Sequence, residues 1–102
     1  MFLIVSLRYY MTNLEHQFNL KKIHFRSHHR GTKETDLFLG SFADKYLESF
    51  NDKELIQFEE ILTYDDLDLN QWLLGKKDVP NEITTDVFIS LMRHVNILNK
   101  NQ

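Results

Sequence analysis

The sequence predicts an all-α fold, a compact five-helix bundle, on three observations. Apolar residues recur at helical spacing, most clearly Phe38, Phe42, Tyr46 and Phe50, four apart. Only three glycines and one proline interrupt the 102 residues, too few for a turn-rich β sandwich. No segment sustains a period-two alternation of apolar and polar residues, so no sheet is expected. At 42% hydrophobic and 13% aromatic, the chain has enough apolar side chain for one core in one domain.

The elements are read in order. A first helix over Leu14–His29 carries Leu14, Phe18, Leu20, Ile23 and Phe25 in a loose pattern, and Gly31 ends it. A second helix over Lys33–Phe50 starts from Thr32 as N-cap, with Glu34 and Asp36 suited to the positive end of its dipole. Asn51 and Glu54 make a capping-box pattern for a third helix with Leu55, Phe58, Ile61 and Leu62 on its apolar face. Tyr64-Asp65-Asp66 turns into a fourth helix bearing Leu69, Trp72 and Leu73, with Gly75 at the C′ position. Pro80 stands near the start of the fifth helix, which carries Ile83, Val87, Phe88, Leu91, Met92, Val95 and Leu98.

At the N-terminus, the apolar run Phe2–Val5 is far shorter than the ~20 residues of a membrane helix. It also lacks the basic stretch and small-residue cleavage site of a secretory signal. Met11 reads as the start, and residues 1–13 as a tail that is non-native or disordered. Residues 14–98 form the domain and 99–102 a C-terminal tail, with no insertion into a membrane.

Cysteine is absent, which excludes a disulfide framework, cysteine-ligated metal and thiol catalysis, and fits a reducing compartment. The formal net charge is −3 and unevenly spread. Lys21, Lys22, Arg26, Arg30 and Lys33 form a basic head without an acid, whereas every acidic residue except Glu15 lies between Glu34 and Asp86. A basic head on an acidic body suggests a polar docking surface, or simply a solvated charged face. Nucleic-acid binding would rest on that short head alone and is not expected. There is no glycine-rich nucleotide cradle and no nucleophile elbow, so no enzyme activity is expected.

Three constellations deserve weighing against folding alone. In Arg30-Gly31-Thr32-Lys33-Glu34, Gly31 allows either an unusual backbone or close approach by another chain. Arg30 and Glu34, four apart, would pair on a helical turn. His24 and His28 have the spacing of helix-borne zinc ligands, but no third ligand is evident, and ordinary surface histidines are the expectation, with no metal. Asp66-x-Asp68-x-Asn70 opens like a calcium loop, but Gln71 and Lys77 stand where Gly and Glu are needed. Those acids are read as dipole partners at a helix N-terminus.

The stretch Arg26-Ser27-His28-His29-Arg30-Gly31-Thr32-Lys33-Glu34-Thr35-Asp36-Leu37 resembles the RGxxE signature of the SdhE family, also called succinate dehydrogenase assembly factor 2 or FAD assembly factor. The similarity continues through Phe42-Ala43, Phe58 to Leu62 and the acidic turn Asp65-Asp66-Leu67-Asp68-Leu69-Asn70-Gln71-Trp72-Leu73, over roughly Leu20 to Leu98. Relatives carry Arg or Trp where His28 and His29 stand.

The resemblance implies a five-helix bundle. It further implies a monomeric chaperone, in the bacterial cytoplasm, that binds the flavoprotein subunit of succinate dehydrogenase or fumarate reductase. There it would promote covalent attachment of FAD to a histidine of that subunit, holding no cofactor stably itself. Arg30, Gly31, Glu34 and Asp36, with Arg26 and His29 beside them, would form the partner-binding surface. The alternative is an antitoxin-like or regulatory protein-binding module, and a third reading is a small metal protein using His24 and His28.

Overall fold

A computed structural model describes residues 2–100, with side chains from Thr12 onward. The expectation of a start at Met11 falls on residues whose side chains lie outside that description, and the end of the C-terminal tail lies outside it too. Five α-helices follow one another: α1 Phe2–His28, α2 Lys33–Tyr46, α3 Asp52–Leu62, α4 Asp66–Leu73 and α5 Asp86–Lys100. There is no strand among the described residues. The helix read from Leu14 thus runs on toward the N-terminus, with Thr12 and Asn13 helical.

The expected caps form. Thr32 accepts from the Thr35 N–H at the head of α2, and Asn51 with Glu54 closes a full capping box on α3. Gly75 takes a φ of 73°, and the N–H groups of Gly75 and Lys76 return to the carbonyls of Trp72 and Gln71, ending α4 in a Schellman turn.

Two boundaries differ from the sequence reading. The second helix stops at Tyr46 and continues as a 3-10 turn over Leu47–Ser49, which buries Leu47 and leads Phe50 into the core edge. Pro80 opens a separate 3-10 turn over Asn81–Ile83, and α5 begins only at Asp86, where the Thr85 hydroxyl accepts from the Phe88 N–H.

The core gathers on α2, against which α1, α4 and α5 all pack. Phe42 is fully buried at its centre, with ring centroids 5.0 Å from Tyr46, 5.6 Å from Phe58 and 5.9 Å from Phe50. Leu39, Leu69, Phe88, Leu91 and Val95 close around it without exposed surface. The buried stripe of α1 is Ile23 and Ser27, with Leu20 half-covered; Phe18 and Phe25, both read as core, are 65% and 60% exposed. Ser27 is tolerated inside because its hydroxyl donates to the Ile23 carbonyl at 2.7 Å.

One polar contact fixes how the helices meet. Between α1 and α2 the chain leaves the helix over residues 29–32, and there Arg30 turns inward. Its Nε donates to Asp66 Oδ1 at 2.9 Å, one terminal nitrogen to the Leu62 carbonyl at 2.7 Å and the other to the Tyr64 carbonyl at 2.9 Å. The guanidinium therefore satisfies carbonyls at the C-terminal end of α3 while pairing with the first residue of α4. Asp66 also accepts from the Gly31 N–H, and Asp36 accepts from the Arg30 N–H. Asn70 adds a contact from α4 to the Thr32 hydroxyl at 3.3 Å.

Two stability outcomes follow. With Arg30 only 11% and Asp66 18% exposed, removing one partner leaves the other charge desolvated and unpaired. Asp66→Asn is expected to cost about 2–4 kcal/mol, lowering Tm by roughly 10 °C or more in thermal unfolding by circular dichroism. An unchanged Tm would show that the contact carries no net stability.

His94 supplies the second. Its Nε2 meets the Ser41 hydroxyl at 2.8 Å, and burial first, then the charge of Lys45, lowers its pKa below the ordinary 6.5. The unfolded chain then binds a proton that the folded chain resists, so stability falls as pH drops below 6.5. His94→Gln is expected to flatten that part of the pH–stability curve in urea titrations.

Candidate functional site

The bend between α1 and α2 divides the predicted site residues into two groups. Arg30 and Asp36 are half-buried and committed to the chain's own contacts described above. The expected pairing of Arg30 with Glu34 does not form, because residues 29–32 are not helical and the guanidinium faces the opposite way, toward Asp66. Glu34, Arg26, His29 and Gly31 are exposed. Glu34 and Arg26 make no ion pair and no side-chain hydrogen bond among the described residues. His29 is held by two contacts: its Nδ1 meets the Phe25 carbonyl at 2.7 Å, and its ring stacks on Phe25 at a centroid distance of 3.8 Å and an interplanar angle of 14°.

Gly31 is explained by close approach within the chain. Its backbone lies outside the left-handed region, which among the described residues only Gly75 occupies. A Cβ added at Gly31 would meet Asp66 Oδ2 at 2.5 Å, displacing the carboxylate that its own N–H holds. Only glycine lets the carboxylate reach both the Gly31 N–H and the Arg30 side chain. The glycine is thus part of the mechanism that shapes the surface, as well as of the surface.

Around it, Lys33 and Glu34 project from the first turn of α2, and a shallow hollow continues the face over Leu37, Phe38, Leu74 and Asn99. Leu37 and Leu74 are 46% and 37% exposed there. The face therefore combines charges of both signs, backbone at a glycine and two apolar side chains, a composition suited to docking a protein.

A second polar group lies on the outer side of the α1–α2 pair. His24 and His28 direct their Nε2 atoms to the same oxygen, Asp44 Oδ1, at 2.7 and 2.8 Å. Hydrogen bonds from His28 and then His24 hold the Asp44 carboxyl below its ordinary value of 3.8. Gly40, read only as part of the second helix, has a positioning role: a Cβ there would stand 2.6 Å from the Nδ1 of His28. The imidazole lies against α2 because that side chain is absent.

The inward Arg30–Asp66 contact and the Asp44 carboxylate were not found from sequence. The acidic turn at Asp65-Asp66 and the i, i+4 histidines were the available signals, but neither specifies a partner on another helix.

Comparison with known proteins bears on residues 21–96, which match the family model Sdh5, described as the flavinator of succinate dehydrogenase. The chain is 37% identical over 65 residues to the FAD assembly factor SdhE of Acetobacter pasteurianus, covering 64% of this chain and 60% of that protein. It is 36% identical over 74 residues to a mitochondrial succinate dehydrogenase assembly factor 2 of Dictyostelium discoideum, covering 72% of this chain and 52% of that protein. Against the corresponding mitochondrial factor of Drosophila grimshawi it is 34% identical over 77 residues, covering 74% and 52%. The chain spans a little over half the length of these relatives, whose names are those of assembly factors and not of enzymes. With both the RGxxE bend and the acidic turn that clamps it inside the matched stretch, the chain belongs to the Sdh5 family of flavinators of succinate dehydrogenase.

Proposed function

We propose that this chain is an assembly factor that docks on the flavoprotein subunit of succinate dehydrogenase, or of fumarate reductase, and promotes covalent attachment of FAD to a histidine of that subunit. The observation that carries the proposal is the contrast at the bend. Arg30 is locked to Asp66, while Glu34, Gly31 and Arg26 are exposed and Glu34 has no side-chain partner among the described residues. A charged surface fixed in shape by contacts beneath it loses little entropy on binding.

The bond-forming chemistry belongs to the partner and its flavin, where an imidazole attacks the 8α-methyl group. This chain contributes by holding the flavin-bearing domain in the arrangement where those atoms meet, a positioning effect. FAD stays with the partner throughout. The chain acts as a monomer and works where the flavoprotein folds, in the bacterial cytoplasm. No observation favours an antitoxin-like or regulatory module over this reading.

Exposure supports a division of roles within the surface. Glu34, Arg26 and His29 contact the partner directly, and Gly31 lets its backbone come close. Arg30 and Asp36 act from beneath by fixing the loop. A Gly31→Arg substitution would therefore disturb the clamp as well as the surface, so Glu34 is the cleaner probe.

In a reconstitution of the flavoprotein subunit with FAD, the wild-type chain is expected to raise covalent flavin, read as fluorescence in a denaturing gel. Glu34→Lys is expected to stay folded, with Tm lowered by only a few degrees for the lost helix-dipole contribution, and to weaken binding to the subunit by about tenfold or more, ~1.4 kcal/mol, with flavinylation falling in parallel. Undiminished binding and flavin attachment would contradict the role given to this face.

A further inference from the structure

We propose that His24, His28 and Asp44 form a binding site for one divalent transition-metal ion, zinc in the first instance, joining α1 to α2. This inference rests on geometry alone and is independent of the docking role.

The three side chains come from two helices. His24 and His28 lie one helical turn apart on the same face of α1, and Asp44 reaches across from α2. One ligand atom from each falls within 4.8 Å of the other two, and both imidazole Nε2 atoms already converge on Asp44 Oδ1. Tetrahedral zinc with bonds of ~2.1 Å spaces its ligand atoms by about 3.4 Å. Opening the two contacts from 2.7 and 2.8 Å to that spacing takes only a small side-chain adjustment.

The orientation of one ligand is built in. The His28 ring lies against Gly40, so its Nε2 points outward to Asp44. The open side suits a metal site as well. His24 and Asp44 are 51% and 54% exposed, which leaves a path of entry and a fourth position for water. Two imidazoles and one carboxylate favour zinc and its neighbours in the transition series over calcium or magnesium, which take oxygen ligands. His24 and Asp44 also line a concavity with Leu20, Lys21, Ala43 and Glu48, which leaves room beside the cluster.

Bound there, the ion would tie together the two helices that flank the bend, so occupancy would stiffen the element that presents Glu34.

The test is calorimetric titration of the chain, without an affinity tag, with zinc chloride near neutral pH. One ion per chain is expected. His24→Ala, His28→Ala and Asp44→Asn should each weaken binding at least tenfold, while His16→Ala and His29→Ala leave it unchanged. His16 lies eight residues from His24, about 12 Å along α1 and out of reach. Zinc should also raise the Tm of the wild-type chain and not that of His28→Ala, because the ion binds the folded state. Circular dichroism of each variant establishes that it is folded. The absence of saturable binding would overturn the proposal. So would binding that survives His28→Ala, or that depends on His16.

Discussion

The Arg30–Asp66 contact is the constraint on which the rest of this molecule's surface depends. It joins the loop after α1 to the first turn of α4, and through the Leu62 and Tyr64 carbonyls it also closes the end of α3. Two connections of the bundle, α1–α2 and α3–α4, therefore meet at one guanidinium. Arginine suits this role because its planar fork offers several donors at fixed angles, where a lysine would present one point charge. Glycine at position 31 suits it because any Cβ would push the carboxylate away.

This arrangement changes the meaning of the RGxxE pattern in this chain. Read as a string, its three defined residues look equivalent, all charged or flexible and all available. In three dimensions, Arg30 is an internal strut, Gly31 is a spacer that admits a carboxylate, and Glu34 faces outward without a partner among the described residues. A docking protein gains from such a division. The surface residues can be few when the backbone beneath them is already fixed, because little ordering remains to be done at the moment of binding.

Much of the fold was legible in the sequence, for local reasons. The period of Phe38, Phe42 and Tyr46, the Asn51–Glu54 capping box and Gly75 after Leu73 each depend on residues within one or two turns. Errors arose where a distant partner decides. Phe18 and Phe25 fit a helical pattern but face outward, since α1 turns Ile23 and Ser27 toward α2. Arg30 would pair with Glu34 only on a helical turn, and nothing local announces the acid 36 residues away that it meets instead. His24 and His28 meet Asp44 of α2, a partner that their i, i+4 spacing does not announce. The site was legible as a location, and its internal division of labour was not.

The account turns on which face of the bundle meets the flavoprotein, and amide hydrogen exchange of this chain with and without the subunit measures that directly. Slower exchange is expected over residues 29–37, with the outer face of α3 around Ile56 unchanged. Protection confined to that outer face, with the bend exchanging as in the free chain, would contradict the account.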